Sequence, residues 1–143
     1  MLFRNCAGGV VFFEDKILLL KNEKDEWVLP KGVIRDGYLS RDVAVNRVKE
    51  EAGVTADVIS SVGETCYEFF SLTRQRPVCN EITWYLMTAS NDRYGINKEL
   101  GFKDGGFYNI SQALDMITYS QDRSLVSLSY RKYKELVSSE IMV

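Results

Sequence analysis

The residues best equipped for chemistry lie between Trp27 and Val54. Adjacent carboxylates, Glu50 and Glu51, stand just ahead of Gly53, and Arg47 precedes them by three and four positions. On a helix that spacing puts all three charges on one face. Upstream, Leu29-Pro30-Lys31-Gly32 opens a loop that also carries Arg35 and Gly37. The chain has no histidine. That removes imidazole acid–base chemistry, His-dependent triads and His–metal sites. Any catalysis must run on carboxylates, lysine, tyrosine, cysteine or a bound metal. Taken without context, Glu50-Glu51 is a solvated charge pair and Arg47 a salt-bridged surface residue.

Positioning these groups requires a helix with a defined start and stop. Ser40 is the expected N-cap, its hydroxyl accepting a free backbone N–H, and Leu39 is placed to staple onto Ala44. Gly53 suits the left-handed residue that closes a helix. Ala44, Val45, Val48 and Ala52 form the stripe that packs on a sheet, with Val43, Arg47, Glu50, Glu51 and Val54 mainly on the other side. Before this helix, Ala7–Phe13 and Lys16–Leu20 read as strands joined by a Glu14-Asp15 turn. Trp27–Leu29 is a short extended piece stopped by Pro30, and Lys31–Gly37 reads as a loop.

After the helix, strands are expected over Ala56–Ser61 and Glu64–Ser71, a hairpin loop over Thr73–Pro77, and an aromatic-rich strand over Glu81–Thr88. Ser90–Asp104 reads as loop and Gly106–Ile110 as a last strand. Ser111 is the expected cap of a short helix, Gln112–Ile117. A final helix over Asp122–Val137 offers Leu125, Leu128, Tyr133 and Leu136 to the core. Strands, helix, more strands and terminal helices predict an α/β chain of the α+β kind, a mixed β-sheet sandwiched between helices.

A length of 143 residues suits one domain spanning 1–143, and 45% hydrophobic with 27% charged residues is an ordinary globular mix. The net charge of −2 gives no field to recruit nucleic acid or an anionic membrane. The longest apolar runs are too short to span a bilayer, and the N-terminus lacks the features of a signal peptide, so a cytoplasmic location is expected. Cys6, Cys66 and Cys79, odd in number and widely spaced, read as buried or inert thiols.

The segment Gly32, five residues, Tyr38, seven residues, then Asn46-Arg47-Val48-Lys49-Glu50-Glu51-Ala52-Gly53-Val54 resembles the Nudix box. That box runs Gly, five residues, Glu, seven residues, Arg-Glu-apolar-any-Glu-Glu-any-Gly-apolar. Leu29-Pro30-Lys31-Gly32 is the family's usual approach to it, and the element order agrees with the Nudix fold over nearly the whole chain. The resemblance implies cleavage of the pyrophosphate bond of a nucleoside diphosphate linked to another group, with Mg²⁺ or Mn²⁺ as cofactor. The implied partner is a small-molecule nucleotide or other diphosphate compound. Nucleoside triphosphates, dinucleoside polyphosphates, nucleotide sugars and capped RNA all belong to that class, and the Leu-Pro-Lys-Gly approach looks somewhat like dinucleoside and inositol polyphosphate members. Carried over by position, Glu50 and Glu51 hold the metal. Lys31 and Arg35 approach phosphate, and Glu99 or Asp104 helps position water, with Glu81 a further acid. Arg47 either binds phosphate or pairs with Glu50 and Glu51. Tyr67, Phe69, Trp84 and Tyr85 can stack a base or form core, and Arg74-Gln75-Arg76 can touch phosphate or nothing.

Three positions depart from the family pattern. Tyr38 replaces the first Glu, Asn46 the Arg, and Arg47 the following Glu. The first two changes remove both members of the ion pair that orients the family's loop, leaving neutral residues able to pack or hydrogen-bond and no orphaned buried charge. The third deletes a metal carboxylate and adds a cation. A unit charge ~5 Å from a divalent ion is repelled by about 6–7 kcal/mol at an effective dielectric near 20, before solvent screening. The functional expectations are therefore a weakened or altered hydrolase, a non-catalytic nucleotide- or protein-binding domain, or a structural domain without a ligand. In any of these, substrate-free metal binding is expected to be weak. A calorimetric Mg²⁺ titration should give a dissociation constant well above micromolar, and micromolar affinity would contradict the electrostatic argument.

Overall fold

In strand β1 (Leu2–Phe13) every residue from Cys6 to Phe12 is buried, so this strand must be covered on both faces. The computed structural model describes the backbone of Met1–Met142, with side chains to Ser138. Along β1, alternate residues point to opposite sides. Cys6, Val10 and Phe12 join one apolar cluster, Ala7 and Val11 the other. A turn at Glu14-Asp15 leads to β2 (Lys16–Lys21), whose leucines divide in the same way, Leu19 to the first cluster and Leu18 and Leu20 to the second. β3 (Trp27–Val28), β4 (Lys31–Val33), helix α1 (Ser40–Ala52), β5 (Ala56–Ser71), β6 (Arg76–Ala89), β7 (Asp104–Asn109), α2 (Ile110–Met116) and α3 (Ser120–Met142) follow.

The sheet has the order β3-β2-β1-β6-β5, with β4 paired to β1 and β7 to β2. β1 and β6 are parallel, from Leu2↔Val78 to Phe12↔Thr88, while the other pairs are antiparallel. The sheet is therefore mixed. α1 covers one face through Val43, Ala44, Val48 and Ala52, packed on Ala7, Val11, Leu18 and Met87. α2 and α3 cover the other through Ala113, Ile117, Leu125, Val126 and Tyr133, and Tyr133 stacks on Phe12 at 4.8 Å between ring centroids. This is the expected sandwich. Among the described residues, no helix is long and apolar enough to cross a membrane.

Several local expectations are corrected. β5 is one strand, not two, because register shifts at Val58/Ser60 and Ser61/Gly63 absorb irregularities without ending its pairing with β6. Lys31–Val33 is strand, not loop, since β1 offers it a partner edge. Leu39, not Ser40, takes the N-cap position of α1 and makes no side-chain cap; Ser40 is already helical and its hydroxyl is bonded to that of Tyr85. Leu39 is exposed, so it staples nothing. Val43, Glu51 and Val54, expected on the outer side, are buried, whereas Val45 is only partly so. Asn109 rather than Ser111 caps α2, its Oδ1 accepting from the Ser111 N–H at 3.2 Å. In α3, Leu128 is exposed and Val126 takes the core position. Cys6 and Cys79 are buried as expected, but Cys66 is exposed.

One long-range closure holds α1 in place. Its last carbonyls have no partner within the helix. The segment Gly95–Asn97 supplies them: the Gly95 N–H donates to Ala52 O at 2.8 Å, the Asn97 N–H to Glu51 O at 3.0 Å, and Asn97 Nδ2 to Glu50 O at 3.1 Å. Gly53 makes the approach possible, lying at φ 66° with its Cα facing Gly95 so closely that a Cβ would come within 2.9 Å of Gly95 N. Gly53→Ala should therefore lower stability by about 1–3 kcal/mol through both the left-handed backbone and the clash. Urea unfolding followed by circular dichroism checks this, and an unchanged midpoint would contradict it.

Candidate active site

The end of α1 meets β4 at the mouth of a cavity of about 490 Å³. β4 contributes Lys31 and α1 contributes Arg47 and Glu51; the loop after β2 brings Asn22 and Glu26. The far wall is Thr65 and Tyr67 of β5 with Trp84 of β6, and the remaining sides are Leu100–Phe102 and the start of α3.

Glu51 is buried, with 3% of its surface exposed. Arg47 lies one turn earlier and forks over both carboxylates: Nη2 is 3.0 Å from Glu51 Oε2 and Nη1 is 3.3 Å from Glu50 Oε2. Its Nε donates to Lys31 O at 3.4 Å. The arginine can lie there only because residue 32 is glycine, since a Cβ on Gly32 would approach Arg47 Cδ to 2.6 Å. Burial pushes the Glu51 carboxyl up from 4.5 to about 7, against the opposing charges of Arg47 and Lys31 and hydrogen bonds from the Lys31 main chain and the Arg47 side chain. Glu50 is exposed at the rim.

The other residues singled out by sequence fall in different places. Lys31, Arg47 and Glu51 converge on the cavity with Glu50 beside them. Arg35 is exposed on the loop before α1 and does not line the cavity. Glu99 and Asp104 are exposed on either side of the Leu100–Phe102 wall, and Asp104 Oδ1 accepts from the Gly105 N–H at 2.8 Å. Glu81 is exposed and pairs across the strands with Cys66. Trp84 is core, its Nε1–H donating to Thr65 Oγ1 at 2.8 Å, and Tyr85 is engaged by Ser40. Arg74, Gln75 and Arg76 are exposed at the β5–β6 turn. Tyr38 and Asn46, expected to pack or hydrogen-bond as neutral replacements, are exposed, and neither side chain makes a hydrogen bond among the described residues. With no opposite charge to draw them together, solvent is the better partner.

Sequence reasoning missed three cavity residues, Tyr119, Gln121 and Asp122. Asp122, in the first turn of α3, has its carboxyl raised by burial, with the Lys31 charge pulling it back. The Tyr119 hydroxyl donates to Glu26 Oε2, which lowers the Glu26 carboxyl, while burial first and then this bond raise the phenol. Tyr67, expected to stack a base or form core, lines the cavity and meets Tyr119 edge to face at 5.7 Å. Gln121 clasps the main chain of Cys66, Nε2 donating to its carbonyl at 3.1 Å and Oε1 accepting from its N–H at 3.3 Å. Asp122 carried a visible signal, an acid beginning a helix, but nothing local says that the helix starts over a cavity.

Glu50 and Glu51 have the hard oxygen donors that suit Mg²⁺ or Mn²⁺. Two carboxylates with phosphate oxygens suffice for Mg²⁺, which usually binds one or two carboxylates plus substrate. The donor chemistry therefore fits a divalent ion, provided Arg47 gives up its fork.

Residues 2–126 match the family model of the NUDIX domain. Among solved structures, a C. elegans Ap4A hydrolase in a binary complex superposes with TM-score 0.70 at 18% identity, covering 95% of this chain and 98% of its own. The E. coli dihydroneopterin triphosphate pyrophosphohydrolase gives TM-score 0.71 at 17% identity over 88% and 95% of the two chains. An ADP-ribose pyrophosphatase from Streptococcus suis 89-1591 gives 0.66 at 20% identity over 91% of each. The chain belongs to the Nudix family.

The raised Glu51 carboxyl has a testable consequence for the metal-free protein. Between its usual 4.5 and about 7, the folded state holds a proton that the unfolded chain has released. Stability is thus favoured below that window and falls as pH rises through it, by on the order of 3 kcal/mol if the whole shift is expressed. Glu51→Gln should remove this component. Denaturation from pH 5 to 8 should show the parent losing stability relative to the variant, and parallel curves would refute the assignment.

Proposed function

We propose that this Nudix domain binds a small diphosphate-linked compound, a nucleotide or a similar molecule, and cleaves its pyrophosphate bond at a rate limited by Arg47. The observation that carries this is the convergence of Lys31, Arg47 and the buried Glu51 on one cavity large enough for such a ligand. Glu50 and Glu51 would hold Mg²⁺ or Mn²⁺, whose contribution is to neutralise the diphosphate and make water more acidic. Lys31 supplies a fixed positive charge to the phosphates. Arg47, once freed from the carboxylates, has a planar fork suited to a phosphate oxygen pair. Arg35 would add charge from the loop before α1. Glu99 and Asp104 would reach water only if the Leu100–Phe102 wall closes over bound substrate. Tyr67, Tyr119, Gln121 and Asp122 form the opposite end, where the group attached to the diphosphate would lie.

A second reading, a binding domain without turnover, is favoured by one specific feature: Arg47 already pairs with both carboxylates, and Lys31 adds a second positive charge, so the glutamates are countered without a metal.

Restoring the family residues separates the two. Arg47→Glu should raise Mg²⁺ affinity at least tenfold, by exchanging a repulsive charge for an attractive one. Adding Tyr38→Glu and Asn46→Arg should raise turnover further, because rate depends on loop placement more stringently than charge collection does. The assay is Mg²⁺- and Mn²⁺-dependent release from a panel that includes Ap4A, dihydroneopterin triphosphate and ADP-ribose. Low parent turnover, gained in the triple variant and lost again on Glu51→Gln, supports the hydrolase. A folded triple variant that binds metal tightly and turns over nothing would leave the binding role.

A further inference from the structure

Cys66 and Cys79 are thirteen positions apart in sequence, yet their sulfurs are 2.6 Å apart in space. The register of β5 and β6 explains this. Cys66 faces Glu81 and Cys79 faces Glu68, so the two cysteines are diagonal neighbours on one face of the sheet. Their separation is only about half an ångström beyond the ~2.05 Å of a disulfide bond. Both are free thiols; Cys66 is exposed and Cys79 is buried. Cys6, by contrast, is buried on β1 in the core cluster under α2 and α3. One thiol is therefore open to solvent, with a second already in place behind it, the arrangement a resolving pair requires.

We propose that Cys66 and Cys79 form a reversible intramolecular disulfide on exposure to hydrogen peroxide, fastening β5 to β6 along one wall of the active-site cavity. The proposal does not depend on the hydrolase reading. In the first step the Cys66 thiolate attacks one peroxide oxygen. The O–O bond breaks, leaving a sulfenic acid on Cys66 and a hydroxide ion. In the second, the Cys79 sulfur attacks the Cys66 sulfur and displaces hydroxide, which leaves as water with the Cys79 proton. The two cysteines lose two electrons and two protons, and peroxide is reduced to two waters. A dithiol reverses the bond by exchange. The thiol of Cys79 is pushed up to about 11, first by its hydrogen bond with Cys66, then by burial and the charges of Glu68 and Glu81. Cys79 therefore waits protonated, and the exposed Cys66 meets the oxidant.

The consequence for the cavity follows from what Cys66 carries. Its main-chain N–H and carbonyl are both held by Gln121 of α3, and Tyr67 beside it packs on Tyr119. A bond from Cys66 to β6 would fix the strand on which these cavity contacts are built.

The test uses the full-length chain treated with hydrogen peroxide and then alkylated under denaturing conditions. The expected mass is that of the parent less two hydrogens with one alkylated thiol, Cys6. Peptide mapping should show Cys66 joined to Cys79, and dithiothreitol should restore all three thiols. Cys79→Ser should instead gain oxygen at Cys66, and Cys66→Ser should keep Cys79 reduced. Amide exchange across Cys66–Val78 should slow at least tenfold in the oxidised parent. The parent measurement needs no variant, so a misfolded mutant leaves the result readable. Oxygen added to both cysteines of the parent, or disulfides between chains, would overturn the proposal. So would thiols that react only after a chelator removes a thiophilic metal, because Cys66, Glu68 and Cys79 would then be its ligands. A disulfide that leaves amide exchange unchanged would overturn the fastening of the wall.

Discussion

A carboxylate taken out of water must be neutralised, by a proton, a metal or a fixed cation. In this protein that requirement falls on Glu51, and the surrounding structure is arranged around it. Arg47 approaches from one turn earlier on the same helix, and its charge is balanced in turn by Glu50 at the rim. Gly32 leaves the space through which the arginine side chain passes, and Lys31 adds a second positive charge and a main-chain hydrogen bond. A proton competes with all of them, since burial raises the acid to about 7. The three means of neutralisation are alternatives at one atom group, and any ligand that enters must shift the balance among them.

The fold's task is to keep that group where a ligand can reach it. Two apolar layers separate cleanly because β1 and β2 alternate with period two and are covered on both faces. α1 is held against one face by its valines and alanines, and its C-terminus is tied down by Gly95–Asn97. This tie restrains the turn carrying Glu50 and Glu51, and the same connection continues into Leu100–Phe102, a wall of the cavity. One loop thus both bonds the end of α1 and lines the cavity.

Replacing the family's acid with Arg47 changes how the site stores charge rather than removing its charged character. Glu50 and Glu51 keep their oxygens, but each accepts from one arginine. A diphosphate entering with a metal can compensate for displacing that arginine, because the freed guanidinium finds phosphate oxygens nearby. A diphosphate entering without metal can take the arginine directly. Both the hydrolase and the binding reading pass through this exchange, so Arg47 is the residue on which they divide.

Much of this was legible in the residues alone. The Gly32-to-Val54 spacing, the helix with its Gly53 stop, and the apolar alternation of β1 and β2 are local patterns, written in neighbours three or four apart on helices and two apart on strands. They were enough for the mixed sheet between helices, for Lys31, Arg47, Glu50 and Glu51 as a group, and for the alternative of Arg47 paired with the glutamates. Local signals also misled where a tertiary partner outbid them: Ser40 gave up capping for the Tyr85 hydroxyl, and the burial of Val43 and Glu51 was set by what α1 packs against. The cavity contributions of Tyr119, Gln121 and Asp122, and the meeting of Cys66 with Cys79, were beyond sequence periodicity altogether. These contacts depend on strand register and on where α3 crosses the sheet, and such long-range geometry exists only once the chain has closed on itself.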